Sequence, residues 1–192
     1  MTRERIITTL LTLASQRGLS NVSLSLLASE CSITKAALFH HFESRDALER
    51  ELFTFATDLA QTQMATIPLT GSATDVLFAA MDHWHGLYAQ EPLRSFYRII
   101  EAEALHRSEA MRIKRSLSQM IKAQSRAVLE SLSSTGRLAI GDVEFAILTL
   151  STGAEHFLTR LLSEDEETIA WEEEQFITSF ARLYDPGYIE AR

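Results

Sequence analysis

Apolar residues at positions 6, 7, 10, 11, 13 and 14 follow a helical period, which predicts a helix from Thr2 to Gln16 that ends at Gly18. A short helical pattern from Ser23 to Cys31 places Leu24, Leu27 and Ala28 on one face. Thr34 is an N-cap residue type and opens a third short helix carrying Ala37, Leu38 and Phe42. Ser44-Arg45-Asp46-Ala47 starts a fourth, with an acid in its first turn and Leu48, Leu52, Phe55 and Leu59 at steps of four and three. That helix is expected to stop before Pro68 and Gly71.

Further along, Ala73 to Ala89 reads as a helix with Met81, Trp84, His85 and Tyr88 on one face. Pro92 suits the first turn of the next, which carries Phe96, Ile99, Ile100 and Ala104. Three longer patterns follow, about Glu109 to Ser133, Asp142 to Ser163, and about Glu166 to Tyr184. No strand or repeat pattern is found. The expected class is all-α, with about nine helices.

Composition removes several classes. At 192 residues the chain buries roughly 70% of its unfolded surface, so a core needs no covalent staples. With 46% hydrophobic and 23% charged residues the composition is that of a globular protein. The single cysteine, Cys31, forms no internal disulfide, which suits a reducing cytoplasm. No apolar run reaches the roughly 18 residues of a membrane span, and the N-terminus does not read as a signal peptide. No membrane partner is expected.

Charge is uneven. Residues 1–50 hold six basic and five acidic side chains, a net +1, so the net −8 of the chain leaves −9 on the rest. An acidic bulk discourages non-specific contact with polyanions, and the first fifty residues are the region best able to approach one. Within them, two short helices flank the turn Cys31-Ser32-Ile33. That spacing suits a helix-turn-helix, whose second helix enters the DNA major groove; it equally suits an αα-hairpin inside a bundle.

The residues themselves add a resemblance. Leu27-Ala28, Ile33-Thr34, Leu38-Phe39, His41-Phe42, Ser44-Arg45 and Leu48 stand at the spacing found in the DNA-binding domain of the tetracycline-repressor-like (TetR) transcriptional regulators. The chain resembles that family specifically over residues 1–48, and in architecture alone beyond residue 50. It departs from the pattern at Ser32 (usually glycine), Val22-Ser23 (Thr-Thr), Ala36 (glycine) and Phe39 (tyrosine). Ser32 is expected to take a left-handed conformation at some cost.

The resemblance implies a DNA-binding domain over 1–48 and a ligand-binding and dimerisation domain over 49–192. It implies a ligand-responsive regulator, a repressor acting as a homodimer on a palindromic double-stranded operator, and no enzyme. Thr34 caps the recognition helix, where free N–H groups favour a phosphate. Lys35 donates to guanine or to phosphate, and Ala36 and Ala37 meet thymine methyls. Phe39, His40 and His41 follow on the same short helix. Ser23 and Arg45 are expected on backbone phosphates.

One module reads few bases, so a symmetric dimer is required. Ala146, Thr149, Gly153 and Phe157, with Phe176 and Phe180 on the last helix, are the expected interface, or else an internal core face. Met81, Trp84, His85, Tyr88, Phe96, Tyr97 and Met120, with the polar Glu101 and Gln124, are the expected pocket for a small, largely apolar effector. Other chemistry is thin. Glu103-x-x-His106 has a di-iron spacing but occurs once, and His83-x-His85 does not share a helix face. No phosphate loop or nucleophile elbow is present, so neither metal nor cofactor is expected. The rival readings are a small-molecule-sequestering protein with a vestigial head and a bundle metalloenzyme. The runs Glu164-Asp165-Glu166-Glu167 and Glu172-Glu173-Glu174 read as solvated faces.

Overall fold

The computed structural model describes residues 2–62 and 66–187. Among them are nine α-helices and one 3-10 turn, with no strand. The helices are α1 Arg3–Arg17, α2 Leu24–Glu30, α3 Lys35–His41, α4 Arg45–Thr62 and α5 Ala73–Ala89, then α6 Leu93–Glu103, α7 Ser108–Ser134, α8 Val143–Leu161 and α9 Glu166–Leu183. Ala73–Ala89 stands where the periodicity puts it, and the other boundaries fall within two residues of expectation wherever a range was predicted. The 3-10 turn Leu19–Asn21 has no counterpart in the sequence reading. Three residues are too short for periodicity to register.

The chain forms two compact units. The first is Met1–Met64 with Ala89–Met111; the second is Ala65–Tyr88 with Arg112–Arg192. In the first, α1 packs against α2, α4 and α6, and α6 also meets α4. Ile6, Leu10, Leu11, Leu48, Leu52, Phe96 and Ile100 are buried there. The Ser95 hydroxyl of α6 donates to that of Ser15 on α1 at 3.1 Å. Thr2 accepts from the Arg5 N–H to start α1, and Gly18, at φ 82°, ends it by donating to the Ala14 carbonyl at 2.9 Å. An L side chain is strained at that φ, so glycine is the natural stop.

In the second unit α8 packs along α9, burying Ala146, Ile147, Leu150, Ala154 and Phe157 of α8 with Ile169, Ile177 and Phe180 of α9. Asp142 caps α8 by accepting from the Phe145 N–H at 3.0 Å. The Arg137 guanidinium donates to the carbonyls of Leu69 and Gly71, tying the segment before α5 to the turn that follows α7. No helix among the described residues is long and apolar enough to cross a membrane.

Candidate nucleic-acid interface

The α2–α3 pair is built from its caps inward. Ser23 precedes α2 and accepts from the Leu26 N–H at 3.1 Å; Thr34 precedes α3 and accepts from the Ala37 N–H at 3.1 Å. Each supplies one of the partners that a helix start lacks. Between them the Ile33 N–H returns to the Ala28 carbonyl at 2.9 Å, and Ser32 sits at φ 56°, the left-handed conformation expected of it. Cys31 is buried inside the turn. Leu27, Leu38 and Phe42 are buried, and Leu24 is half-buried.

With Leu38 and Phe42 turned inward, the opposite side of α3 is left to solvent. Thr34, Lys35, Ala36, Phe39 and His40 are exposed, and Ala37 and His41 are half-buried. Lys35 and Phe39 stand four apart, as do Ala36 and His40, so the four make one stripe along the short helix. Phe39 is 45% exposed. The Arg3 guanidinium pairs with Glu51 and lies over the Phe42 ring, 5.0 Å from its centroid, which pins the start of α1 beside the end of α3.

Arg45 is placed differently from its expected role on phosphate. Its Nη1 and Nη2 donate to the carbonyls of Val22 and Leu19, each at 2.6 Å, and its Nε donates to Glu49 at 2.7 Å. The fork is taken up by the carbonyl of Leu19, which opens the 3-10 turn and also accepts from the Val22 N–H at 3.3 Å, and by that of Val22, which follows the turn. The other Glu49 oxygen accepts from Arg107 at 2.6 Å, and Arg107 Nε donates to Glu103 at 2.8 Å. Glu49 and Glu103 are 6% and 8% exposed. Burial works against the Arg107 cation, but bonds to these two carboxylates outweigh it and raise its pKa above the ordinary value. Glu103, weighed as half of a metal spacing with His106, is instead an arginine partner. Among the described residues no cluster of three metal-ligating side chains occurs.

The residues expected to hold an effector divide between the units. Phe96, Tyr97 and Glu101 belong to the first, where the rings of Phe96 and Tyr97 lie 5.4 Å apart and Glu101 is half-buried. Burial pushes the Tyr97 phenol up to about 12. Met81, Trp84, His85, Tyr88, Met120 and Gln124 belong to the second. Gln124 Oε1 accepts from the Trp84 indole at 2.6 Å, joining α5 to α7. His85 Nε2 lies 2.8 Å from a carboxylate oxygen of Glu173. Glu173, read as part of a solvated run, is buried, since it shares a face of α9 with Ile169 and Ile177 one turn away on either side. That spacing is the signal the sequence reading passed over. The Ser125 hydroxyl, beside Gln124 in the chain, is fully buried and has no hydrogen-bond partner among the described residues.

The residues expected at a dimer interface lie mostly within the chain. Ala146, Phe157 and Phe180 are buried, while Thr149 and Phe176 are half-buried. Thr149 donates to the Phe145 carbonyl at 2.8 Å. Gly153 admits the Phe176 ring, which a methyl group there would meet at 2.3 Å. Phe176 stacks in turn between Phe157 and Phe180, at 5.7 and 6.2 Å. The small residues thus serve the approach of α9 to α8. The apolar groups left outward on these helices are Phe145, Leu148, Trp171 and Leu183.

Residues 6–52, which contain α2, α3 and their caps, match the family model described as bacterial regulatory proteins, tetR family. In this N-terminal segment, about a quarter of the chain, it is similar to the tetR family. No curated protein matches the chain in sequence. Solved structures match it over nearly its whole length. A TetR transcriptional regulator from Agrobacterium tumefaciens is 21% identical with a TM-score of 0.69, covering 98% of this chain and 96% of its own. MexZ, a repressor responsible for antibiotic resistance in Pseudomonas aeruginosa, is 15% identical with a TM-score of 0.70, covering 97% and 96%. AibR in complex with isovaleryl coenzyme A and operator DNA is 20% identical with a TM-score of 0.61, covering 96% and 98%. At these identities the likeness is one of fold, and that fold is the fold of TetR-type transcriptional regulators.

Proposed function

We propose that this chain is a cytoplasmic, ligand-responsive repressor of the tetR family that binds a palindromic operator as a homodimer and is released by a small, largely apolar effector. Residues 1–48 serve as the DNA-reading head, and 49–192 hold the effector and the partner subunit. The observation that carries the reading is the outward stripe of α3. Lys35, Ala36, Phe39 and His40 stand clear of the chain while Leu38 and Phe42 anchor the helix from behind. Lys35 and the α3 N-terminus meet the duplex, with Ser23 and Thr34 adding hydroxyls beside two helix starts.

The effector reading is supported by buried and half-buried polar groups in the second unit. Gln124, the His85–Glu173 pair and the orphaned Ser125 hydroxyl are the kind of few, placed polar groups that orient a ligand. AibR, of the same fold, was captured with both an acyl-coenzyme A and operator DNA. A homodimer is supported by the outward apolar groups of α8 and α9.

Selection of bound fragments from a genomic DNA pool, followed by salt titration on the selected duplex, tests the reading. One palindrome is expected, with affinity falling steeply as salt rises. Lys35→Ala is expected to lower the slope of log affinity against log salt by about 1. Failure to select any sequence would overturn the proposal in favour of a sequestering protein with a vestigial head.

A further inference from the structure

Four charged side chains form a continuous path through the first unit. It begins at the carbonyls of Leu19 and Val22, runs through Arg45 to one oxygen of Glu49, and from the other oxygen to Arg107 and Glu103. Both glutamates are buried, and each is met by directional guanidinium bonds of 2.6 to 2.8 Å. The set is neutral, two cations against two anions, and each Glu49 oxygen serves one arginine. A third Arg107 donor reaches the Ser20 hydroxyl at 3.4 Å. Val22 immediately precedes Ser23, the cap of α2, so the path ends where the helix pair begins. Its other end is Glu103, the last residue of α6, reached through Arg107 in the segment between α6 and α7, well outside the segment that faces DNA.

Such a path adds little net stability, because desolvation opposes the Coulomb attraction. Its bonds are directional, so what it adds is geometry. We infer that Arg107 is a positioning residue for DNA reading: through Glu49 and Arg45 it holds the front of α2, and with it α3, in register with the end of α6, and it does so without touching DNA. This rests on the DNA-binding reading above. It assigns a role in that activity to a residue remote from the helix pair.

The test uses the full chain and the duplex selected by the wild type, at a temperature where each variant's melt shows it folded. Arg107→Met keeps the aliphatic stem and removes the cation. Its affinity is expected to fall roughly tenfold, with the salt slope unchanged because no phosphate contact is lost. Glu49→Gln is expected to act in the same direction. The double variant should bind no worse than the weaker single one, since both interrupt one path. Arg107→Lys, which keeps the charge but not the fork, should fall between. It carries the test should Arg107→Met not fold. Wild-type affinity in a folded Arg107→Met or Arg107→Lys would overturn the inference alone. So would a slope lowered by about 1, which makes Arg107 a phosphate contact, or full additivity in the double variant. A wild type that selects no duplex would overturn the inference and the DNA-binding reading together.

Discussion

Two glycines in the second unit predict opposite responses to the same substitution. Gly153 lies in the interior of α8 with the Phe176 ring against it. A Cβ there would stand 2.3 Å from Cζ, 2.6 Å from Cε1 and 2.9 Å from Cε2 of that ring. Carbon atoms in contact settle at about 3.5–4.0 Å, so the ring must withdraw by more than 1 Å. It is hemmed by Phe157 and Phe180, whose centroids lie 5.7 and 6.2 Å away. Overpacking of this kind costs about 1–3 kcal/mol. Replacing glycine by alanine inside a helix returns about 1 kcal/mol. Gly153→Ala is therefore expected to destabilise by about 1 kcal/mol. Gly86, inside α5, has nothing within 4 Å of a Cβ, so Gly86→Ala keeps the helix gain alone and stabilises by about 1 kcal/mol. In a chain of this size each kcal/mol moves the melting temperature by about 2–4 °C.

Thermal melts of both variants, at one fixed protein concentration, read the difference directly. Gly86→Ala should melt above wild type and Gly153→Ala below it. In a Phe176→Ala background the Gly153→Ala change should become stabilising, because the obstacle is gone. If Gly153→Ala alone raises the melting temperature as much as Gly86→Ala does, the ring does not constrain the α8–α9 approach and the reasoning fails.

Three further outcomes are expected. Ser32→Gly should stabilise by about 0.5–1 kcal/mol, since φ 56° strains an L residue by about 1–2 kcal/mol and glycine adds back about 0.4–1 kcal/mol of unfolded-chain entropy; an unchanged urea midpoint would contradict this. The paired change Leu148→Glu and Trp171→Glu puts charge on residues 54% and 68% exposed, and sedimentation is expected to show dimers for the wild type and monomers for the variant. Persistence of the dimer would move its interface elsewhere. Burial holds the His83 imidazole below its ordinary pKa of 6.5, so the unfolded ring takes up a proton first as pH falls. Its contribution is present above about pH 6.5 and lost below it, and His83→Gln should flatten the fall in melting temperature between about pH 7.5 and 5.5. An identical pH profile in the variant would show that other groups set it.

Helix positions were legible because amphipathic spacing and caps are local properties. Thr34, Ser23, Gly18 and Asp142 each name a boundary by their own chemistry. The inward set Leu27, Leu38 and Phe42, and hence the outward stripe of α3, followed from the same spacing. What escaped was pairing between segments. Arg45 stands 26 residues from the Leu19 carbonyl it serves, and Arg107 stands 58 from Glu49. Glu49 shares a face of α4 with Leu52, Phe53 and Ala56, three, four and seven residues on, but that spacing does not name its arginine partners. Glu173 was recoverable from Ile169 and Ile177, yet its place in a run of three glutamates masked it.

The stripe of small residues on α8 shows why such patterns leave the partner open. Ala146 and Gly153 mark a close helix approach, and that approach is made by α9 of the same chain. The case for a second copy rests on a different pattern. Phe145-Ala146-Ile147-Leu148 is an apolar run that passes all the way round the helix. Ala146 and Ile147 are buried within the chain, while Phe145 and Leu148 stay outward, more than half exposed. Large apolar groups left exposed side by side are the kind of surface a second copy covers. Within the chain α8 is met by α9 and also by α7, through Ser118 to Glu155 and Arg126 to Glu144, and Phe145 and Leu148 stay exposed beside both. On α9 itself Trp171 is turned outward as well. The proposed association through this face is argued from the apolar residues that the chain's own packing leaves exposed, and the small residues bear on it only by holding the two helices that present them.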